Sequence, residues 1–158
     1  MSLEDVPEGV SIVAISSFRL ARTLKADVSW IIAQDEILGL VSWRVLVGLS
    51  IVTCATQKEL VEFTKTEQAQ LSRALKEMER RKLIAAQPSL EDARMKLFSA
   101  TEFGRKKYQE MLPQATQFAS AVDAALDPEE RTQFLAMCDR ISIASRAAAQ
   151  RQITNRVR

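Results

Sequence analysis

A chain of 158 residues with 47% apolar and 27% charged residues is long enough to form one domain with a buried core. This balance excludes a disordered protein, and no apolar run approaches the roughly 20 residues that cross a bilayer, which excludes a membrane-spanning protein. Histidine is absent, only four glycines are present and the net charge is +2, so neither an enzyme nor a metal or cofactor site is expected, and charge alone identifies no partner.

Helical patterns dominate the first half of the chain. Apolar residues recur at helical spacing over residues 10–34 and again over 41–52, which predicts two helices. Thr56 and Glu59 have the spacing of a capping box, in which each side chain bonds the backbone N–H of the other residue. A short third helix is therefore predicted over 57–63.

A fourth helix is predicted after the polar turn Thr64-Lys65-Thr66. Its register follows from Leu71, Leu75 and Met78, which recur at spacings of four and three, and it ends near residues 81–82, where basic side chains suit the carbonyl end of a helix.

The second half of the chain begins with two short extended segments, 83–87 and 95–99, which predict a β-hairpin with a charged tip. Thr101 is placed to cap a helix over 102–126, and Asp127 followed by Pro128 starts a last helix. The predicted fold is mainly α with a small β-hairpin wing: a winged helix-turn-helix with long helices at both ends. We expect one domain, 1–158, in which residues 40–100 form the winged helix-turn-helix head.

The fourth predicted helix has two contrasting faces. At 100° per residue, the side opposite Leu71 and Leu75 carries Ala69, Arg73, Lys76 and Arg80, flanked by Gln70 and Ser72. A small residue beside short polar and basic side chains suits entry into a DNA major groove, where Gln can bond adenine and Arg can bond guanine. An ordinary solvent-exposed helix face has the same composition.

The charge distribution is uneven, which a DNA-facing surface requires, although solvated helices also show such an excess by chance. Residues 65–107 hold eleven Lys/Arg against six Asp/Glu, whereas the rest of the chain is net acidic. A basic excess in one segment is typical of a surface that faces phosphates.

Six motifs in sequence order resemble the MarR family of bacterial transcription regulators. They are Trp43-Arg44-Val45-Leu46, Glu59-Leu60, Gln70-Leu71-Ser72-Arg73-Ala74-Leu75, Arg81-Lys82-Leu83-Ile84, Asp92-Ala93-Arg94 and Ala100-Thr101-Glu102-Phe103-Gly104. The resemblance extends over residues 18–113 through these motifs. Two departures stand out: Thr64-Lys65-Thr66 stands where relatives commonly have Leu-Gly-Leu, and the wing keeps only the last Asp and Arg of a more charged motif.

The resemblance implies a recognition helix in the major groove and a wing in the adjacent minor groove. Recognition-helix contacts are implied for Gln68, Gln70, Ser72 and Arg73, a minor-groove contact for Arg94, and bracing of that arginine for Asp92. Combined with the outer face of the helix, the predicted DNA-binding residues are Thr66, Gln68, Ala69, Gln70, Ser72, Arg73, Lys76 and Arg94.

The terminal helices carry more apolar side chains than a small head can cover, among them Phe134, Leu135 and Ile141. We predict that residues 10–36 and 102–158 are dimerisation helices of a homodimer, which matches a palindromic operator. The alternative is that they are ordinary bundle helices of one chain.

The resemblance also implies release from DNA by a small aromatic or phenolic acid. Phe18, Arg22, Trp43 and Tyr108 are candidates to line its pocket, with Arg22 pairing the carboxylate, although core packing is the alternative role for the aromatic side chains. Two distant cysteines, Cys54 and Cys138, are expected to be small buried residues, with a redox role as the alternative.

The predicted function is that of a sequence-specific DNA-binding regulator, expected to be a repressor without enzymatic activity or cofactor. The start of the chain lacks the pattern of a secretory signal, so a cytoplasmic location is expected. The alternative function is a protein-interaction module that keeps the winged-helix scaffold but no longer reads DNA.

Overall fold

The computed structural model describes residues 9–89 and 95–156 and contains six helices and three strands in that part of the chain. In chain order they are α1 (Ile12–Ile32), α2 (Leu40–Ile51), β1 (Ala55–Thr56), α3 (Gln57–Thr64), α4 (Gln68–Arg80), β2 (Ile84–Pro88), β3 (Lys96–Ala100), α5 (Glu102–Asp123) and α6 (Pro128–Arg156). The mainly α fold with a small β wing is thus confirmed. The strand β1 was not predicted, and α5 ends three residues earlier than expected.

Helix starts are fixed by side chains that the sequence singles out. Thr56 Oγ1 accepts the Glu59 N–H while the Glu59 carboxylate accepts the Thr56 N–H at 2.7 Å, which completes the predicted capping box of α3. Thr101 Oγ1 accepts the Gly104 N–H at 3.0 Å, and Asp127 Oδ1 accepts the Glu130 N–H at 2.9 Å. These bonds satisfy amides that have no partner inside the helix.

The three strands form one antiparallel sheet in the order β1-β3-β2. Phe98 of β3 is opposite Ala55 on one side and Ala86 on the other, and its side chain is buried. The small alanines leave room for the ring. Since β1 has only two residues, no periodicity in the sequence could reveal it.

The chain divides into two compact units between Thr116 and Gln117, within α5. The first unit holds the hydrophobic core, which lies between α2, α3, α4 and the sheet. Its side chains with the lowest exposure and largest volume are Ile32, Val45, Leu46, Leu60, Leu71, Leu75, Met78 and Leu83. Burying each stabilises the unit by about 1.5–3 kcal/mol relative to an exposed side chain.

The connection from α4 to the sheet is held by a tight backbone arrangement. Lys82 has a left-handed φ of 59°, and the Leu83 N–H donates to the Met78 carbonyl at 2.9 Å, which closes the end of α4. The start of α5 lies directly against this segment, because a Cβ on Gly104 would be 1.9 Å from the Leu83 carbonyl oxygen. Only glycine fits there.

A half-buried ion pair links the α1–α2 connection to α5. Lys107 Nζ lies 2.9 Å from Asp35 Oδ2, and Asp35 Oδ1 accepts the backbone N–H groups of Ile37 and Leu38 at 2.7 and 2.9 Å. Burial raises the pKa of Asp35, but the bonds from Lys107 and the two amides outweigh it, so the pKa is lowered overall. The bonds to Asp35 and Glu110 raise the pKa of Lys107.

The second unit contains the end of α5 and the 29-residue helix α6. Among the described residues of α6 none is buried, although the helix is rich in large apolar side chains. Those that are exposed in the single chain are Phe134, Leu135, Met137, Ile141, Ile143 and Ile153. No described helix has a stretch long and apolar enough to cross a membrane.

Candidate nucleic-acid interface

The helices α3 and α4 are joined by a three-residue turn, as in a helix-turn-helix. Thr64 Oγ1 donates to the Leu60 carbonyl at 2.7 Å, which ends α3. Lys65 then adopts the left-handed conformation (φ 49°, ψ 36°) that a glycine would favour. The departure of Thr64-Lys65-Thr66 from the usual turn is therefore accommodated by strain at one residue, and the helix-turn-helix geometry is kept.

The turn places Thr66 inside the molecule. Its side chain is 7% exposed, and its hydroxyl lies 3.5 Å from the Thr64 carbonyl oxygen. This burial argues against the predicted DNA contact by Thr66, which packs beneath the turn, and we leave it out of the interface. Its neighbour Glu67 precedes α4 without a side-chain cap bond.

The inner face of α4 is anchored in the core as predicted. Leu71, Leu75 and Met78 are each at most 2% exposed. Because these three side chains fix the rotation of the helix, the opposite face is held outward without freedom to turn.

The outer face of α4 carries the predicted DNA-binding side chains. Gln68, Ala69, Gln70, Arg73 and Lys76 are exposed, and Ser72 is half-buried beside them. Neither Arg73 nor Lys76 makes an ion pair with any described residue. Two unpaired cations therefore stand between short polar side chains on one exposed helical face.

Arg80, at the end of the same face, is already engaged. Its guanidinium donates to both carboxylate oxygens of Glu77 at 2.6 and 2.8 Å. Bonds from Arg80 and Arg81 lower the pKa of Glu77 to about 2. Arg81 also donates to the Ile37 carbonyl at 3.0 Å, so this cluster holds the end of α4 against the α1–α2 connection.

The hairpin lies beside the start of α4. Pro88 is opposite Lys96 at the last strand pair, and the Ser89 N–H donates to the Met95 carbonyl at 2.8 Å beyond it. Gln68, Lys58 and Lys96 line one groove of about 720 Å³. The start of α4 and the base of the hairpin therefore border a common surface. The predicted wing residues Asp92 and Arg94 lie outside the described residues.

The predicted pocket residues are brought together only in part. Trp43 is buried and stacks on Tyr108, with ring centroids 5.3 Å apart and planes 20° apart. Phe18 is 75% exposed and Arg22 is also exposed, so within one chain neither is enclosed. A cavity of about 520 Å³ is instead lined by Tyr108 and by Arg105, which the sequence interpretation missed.

The cysteine prediction is wrong for Cys54, which is exposed, while Cys138 is partly exposed. Cys54 follows the end of α2, and the next residue, Ala55, occupies the buried position in the sheet. In the part of the chain that the structure describes, no group of three or more Cys, Asp or Glu side chains could hold a metal ion.

Comparison with protein families finds a match over part of the chain. A family model described as the MarR family matches residues 38–95, which include α2, α3, α4 and β2. No curated protein sequence matches the chain.

Solved structures resemble the chain over most of its length. BpsR of Bordetella bronchiseptica, whose DNA binding is regulated by 6-hydroxynicotinic acid, is 25% identical with a TM-score of 0.66, covering 80% of this chain and 98% of that one. AbsC, a MarR family transcriptional regulator from Streptomyces coelicolor, is 19% identical with a TM-score of 0.77, covering 90% and 97%. A further MarR family regulator from that organism, in complex with DNA, is 19% identical with a TM-score of 0.76, covering 87% and 91%. Residues 38–95 therefore match the MarR family, and the chain as a whole shares the winged-helix fold of solved MarR family transcriptional regulators.

Proposed function

We propose that the chain is a MarR family transcriptional regulator. It binds a palindromic operator as a homodimer, with α4 of each protomer in the major groove, and represses transcription in the bacterial cytoplasm. The observation that carries the proposal is the outer face of α4, where Arg73 and Lys76 are exposed and unpaired beside Gln68 and Gln70. An acidic or apolar face would have favoured a protein-interaction module.

Each side chain of this face has a role that follows from its chemistry. Ala69 permits close approach of the helix to the base edges. Gln68 and Gln70 can bond adenine, and Arg73 can donate two hydrogen bonds to guanine. Lys76 and Ser72 are suited to phosphate oxygens, which position the helix without reading sequence.

The wing completes the proposed interface. We place Arg94 in the minor groove, with Asp92 bracing it, because the groove shared by Gln68 and Lys96 puts the wing base beside the start of α4. An arginine there responds to the negative potential of a narrow minor groove.

The proposed dimer uses residues 10–36 and 102–158, with 40–100 as the DNA-binding head. Its support is the apolar surface that a single chain leaves uncovered, including Val13 and Phe18 of α1 and Ile141 and Ile143 of α6. Burying such surface is the main driving force for association. Two-fold symmetry then presents two recognition helices to the two halves of a palindrome.

The experiment is fluorescence anisotropy with the promoter DNA upstream of the gene and with a random duplex. We expect tighter binding to the promoter duplex, two protomers per site, and affinity that falls steeply as salt rises. Arg94→Ala should weaken binding to both duplexes. Equal, salt-insensitive affinity for the two duplexes would exclude the proposed function.

We also propose that a small aromatic acid releases the protein from DNA. The specific support is the 520 Å³ cavity beside the Trp43–Tyr108 stack, with Arg105 available for a carboxylate. The sequence-based alternative assigns that carboxylate to Arg22, with Phe18 completing the pocket.

Titration with 6-hydroxynicotinic acid and with salicylate separates these alternatives. Loss of release in Arg105→Ala but not in Arg22→Ala assigns the ligand to the cavity, and the reverse result assigns it to α1. Unchanged DNA binding of the wild-type protein at millimolar concentrations of both acids would contradict the effector proposal.

A further inference from the structure

A second basic surface lies next to the recognition helix, between α1, the start of α2 and the helix-turn-helix turn. It is a half-open cavity of about 490 Å³. Its polar lining includes Lys25, Ser29, Ser42, Arg44, Thr66 and Gln70. None of the first four residues was predicted to contact DNA.

The charge of this cavity is not neutralised within the chain. Lys25 and Arg44 form no ion pair with any described residue. The third basic residue of the lining, Lys65, is held by Glu62 at 2.8 Å, and the only acidic side chain of the lining is Glu67. Two cations from different helices therefore line one cavity, and neither is ion-paired with a described residue.

The cavity also offers hydrogen-bond donors. The hydroxyl groups of Ser29 and Ser42 line it. The first residues of α2 line it as well, and their amides are uncapped because Gly39 precedes the helix without a side-chain bond. Hydroxyls, guanidinium and ammonium groups are the donors that recognise phosphate oxygens.

The position of the cavity indicates that the phosphate it binds belongs to the DNA backbone. Gln70 lines the cavity and also flanks the outer face of α4, so the cavity borders the surface that the proposed function places in the major groove. The cavity is open to the surface on that side, as contact with a phosphodiester in a continuous backbone requires.

We infer that Lys25, Ser42 and Arg44 bind a backbone phosphate of the duplex beside the groove that α4 enters. This inference rests on the proposed function. The contact fixes the register of the protein on DNA and adds affinity without reading bases.

The test measures anisotropy of the full-length protein on the promoter duplex and a random duplex at several salt concentrations. Lys25→Gln and Arg44→Gln are compared with Lys106→Gln, which removes the same charge from an exposed site on α5. Each of the first two variants should weaken binding to both duplexes by roughly threefold to tenfold and reduce the salt slope by about one. Lys106→Gln should change neither quantity.

The outcomes are distinguishable. If the wild-type protein does not prefer the promoter duplex, the proposed function fails and the inference falls with it. If the wild type binds but Lys25→Gln and Arg44→Gln keep its salt slope, only the phosphate contact is excluded.

Two further measurements guard against misfolding of a variant and against binding of free phosphate. Lys25 is exposed, so Lys25→Gln leaves the core intact. The salt slope of this variant therefore tests the phosphate contact even if Arg44→Gln does not fold. Inorganic phosphate replaces chloride at equal ionic strength in the second measurement. A phosphate-specific weakening of DNA binding that both variants abolish, without a change in salt slope, would show a free-anion site and overturn the inference.

Discussion

The helices α4 and α6 bury their apolar side chains in opposite ways. In α4, Leu71, Leu75 and Met78 are covered by the chain itself, whereas Ile143 of α6 is 68% exposed and no described residue of that helix is buried. The first helix is therefore complete in a single chain. The second leaves an apolar surface uncovered in the single chain.

This difference separates two tasks of the molecule. A helix that presents side chains to DNA must be held rigidly, because small rotations would misplace hydrogen bonds that read bases. A helix that joins two copies must instead keep its apolar side chains outward until they meet. We therefore interpret the head as the reading unit and the terminal helices as the association unit.

The largest effect is expected from a matched pair of truncations, one in each helix. Leu71→Ala should lower the free energy of unfolding by about 2–5 kcal/mol at every protein concentration, because it leaves a cavity in the core. Ile143→Ala should have an effect that depends on protein concentration, because it weakens association. Urea unfolding at two protein concentrations measures both. If Ile143→Ala lowered the free energy of unfolding as much as Leu71→Ala at each concentration, the proposed difference between the two helices would be wrong.

The ion pair within the head predicts a smaller, pH-dependent effect. Asp35→Asn should lower the free energy of unfolding by about 1–3 kcal/mol near pH 7, since it removes a charged hydrogen bond from half-buried Lys107. The folded pKa of Asp35 lies below its usual 3.8, so its contribution is complete above pH 4 and is lost as the pH falls through the folded pKa.

Urea unfolding from pH 7 to pH 2 tests the sign of this dependence. The difference between the wild type and Asp35→Asn should shrink only below about pH 4. A difference that grows as the pH falls would contradict the assignment.

The smallest expected effect concerns the turn before α4. Lys65→Gly should raise the free energy of unfolding by up to about 1 kcal/mol, because glycine removes the steric cost of the left-handed conformation. Lys65→Ala keeps a Cβ and serves as the control for loss of the exposed pair with Glu62. Thermal unfolding of both variants checks the prediction, and equal melting temperatures would argue against strain at this turn.

Local sequence signals predicted most of the fold and the outer face of α4. The capping box of Thr56 and Glu59 and the spacing of Leu71, Leu75 and Met78 depend on residues close in the chain, and the structure confirms both. The order of helices and hairpin followed from the same kind of pattern.

The features that were missed depend on contacts between distant residues or on exposure. Asp35 and Lys107 are 72 residues apart, and β1 exists only because two residues meet β3. The burial of Thr66 and the exposure of Cys54 follow from the direction in which each connection leaves its helix. The uncapped amides of α2 and the unpaired cations Lys25 and Arg44 likewise share one cavity only because α1 lies beside the start of α2.

The central claim, that the outer face of α4 reads DNA sequence, is tested most directly by comparing two arginines of that face. Arg73 is unpaired, whereas Arg80 is held by Glu77. The measurement is the ratio of affinities for the promoter duplex and a random duplex in the wild type, Arg73→Ala and Arg80→Ala. We predict that Arg73→Ala reduces this ratio by roughly tenfold to a hundredfold, because a bidentate base contact is lost, while Arg80→Ala leaves the ratio unchanged. An unchanged ratio in Arg73→Ala, or an equal loss in both variants, would contradict the claim.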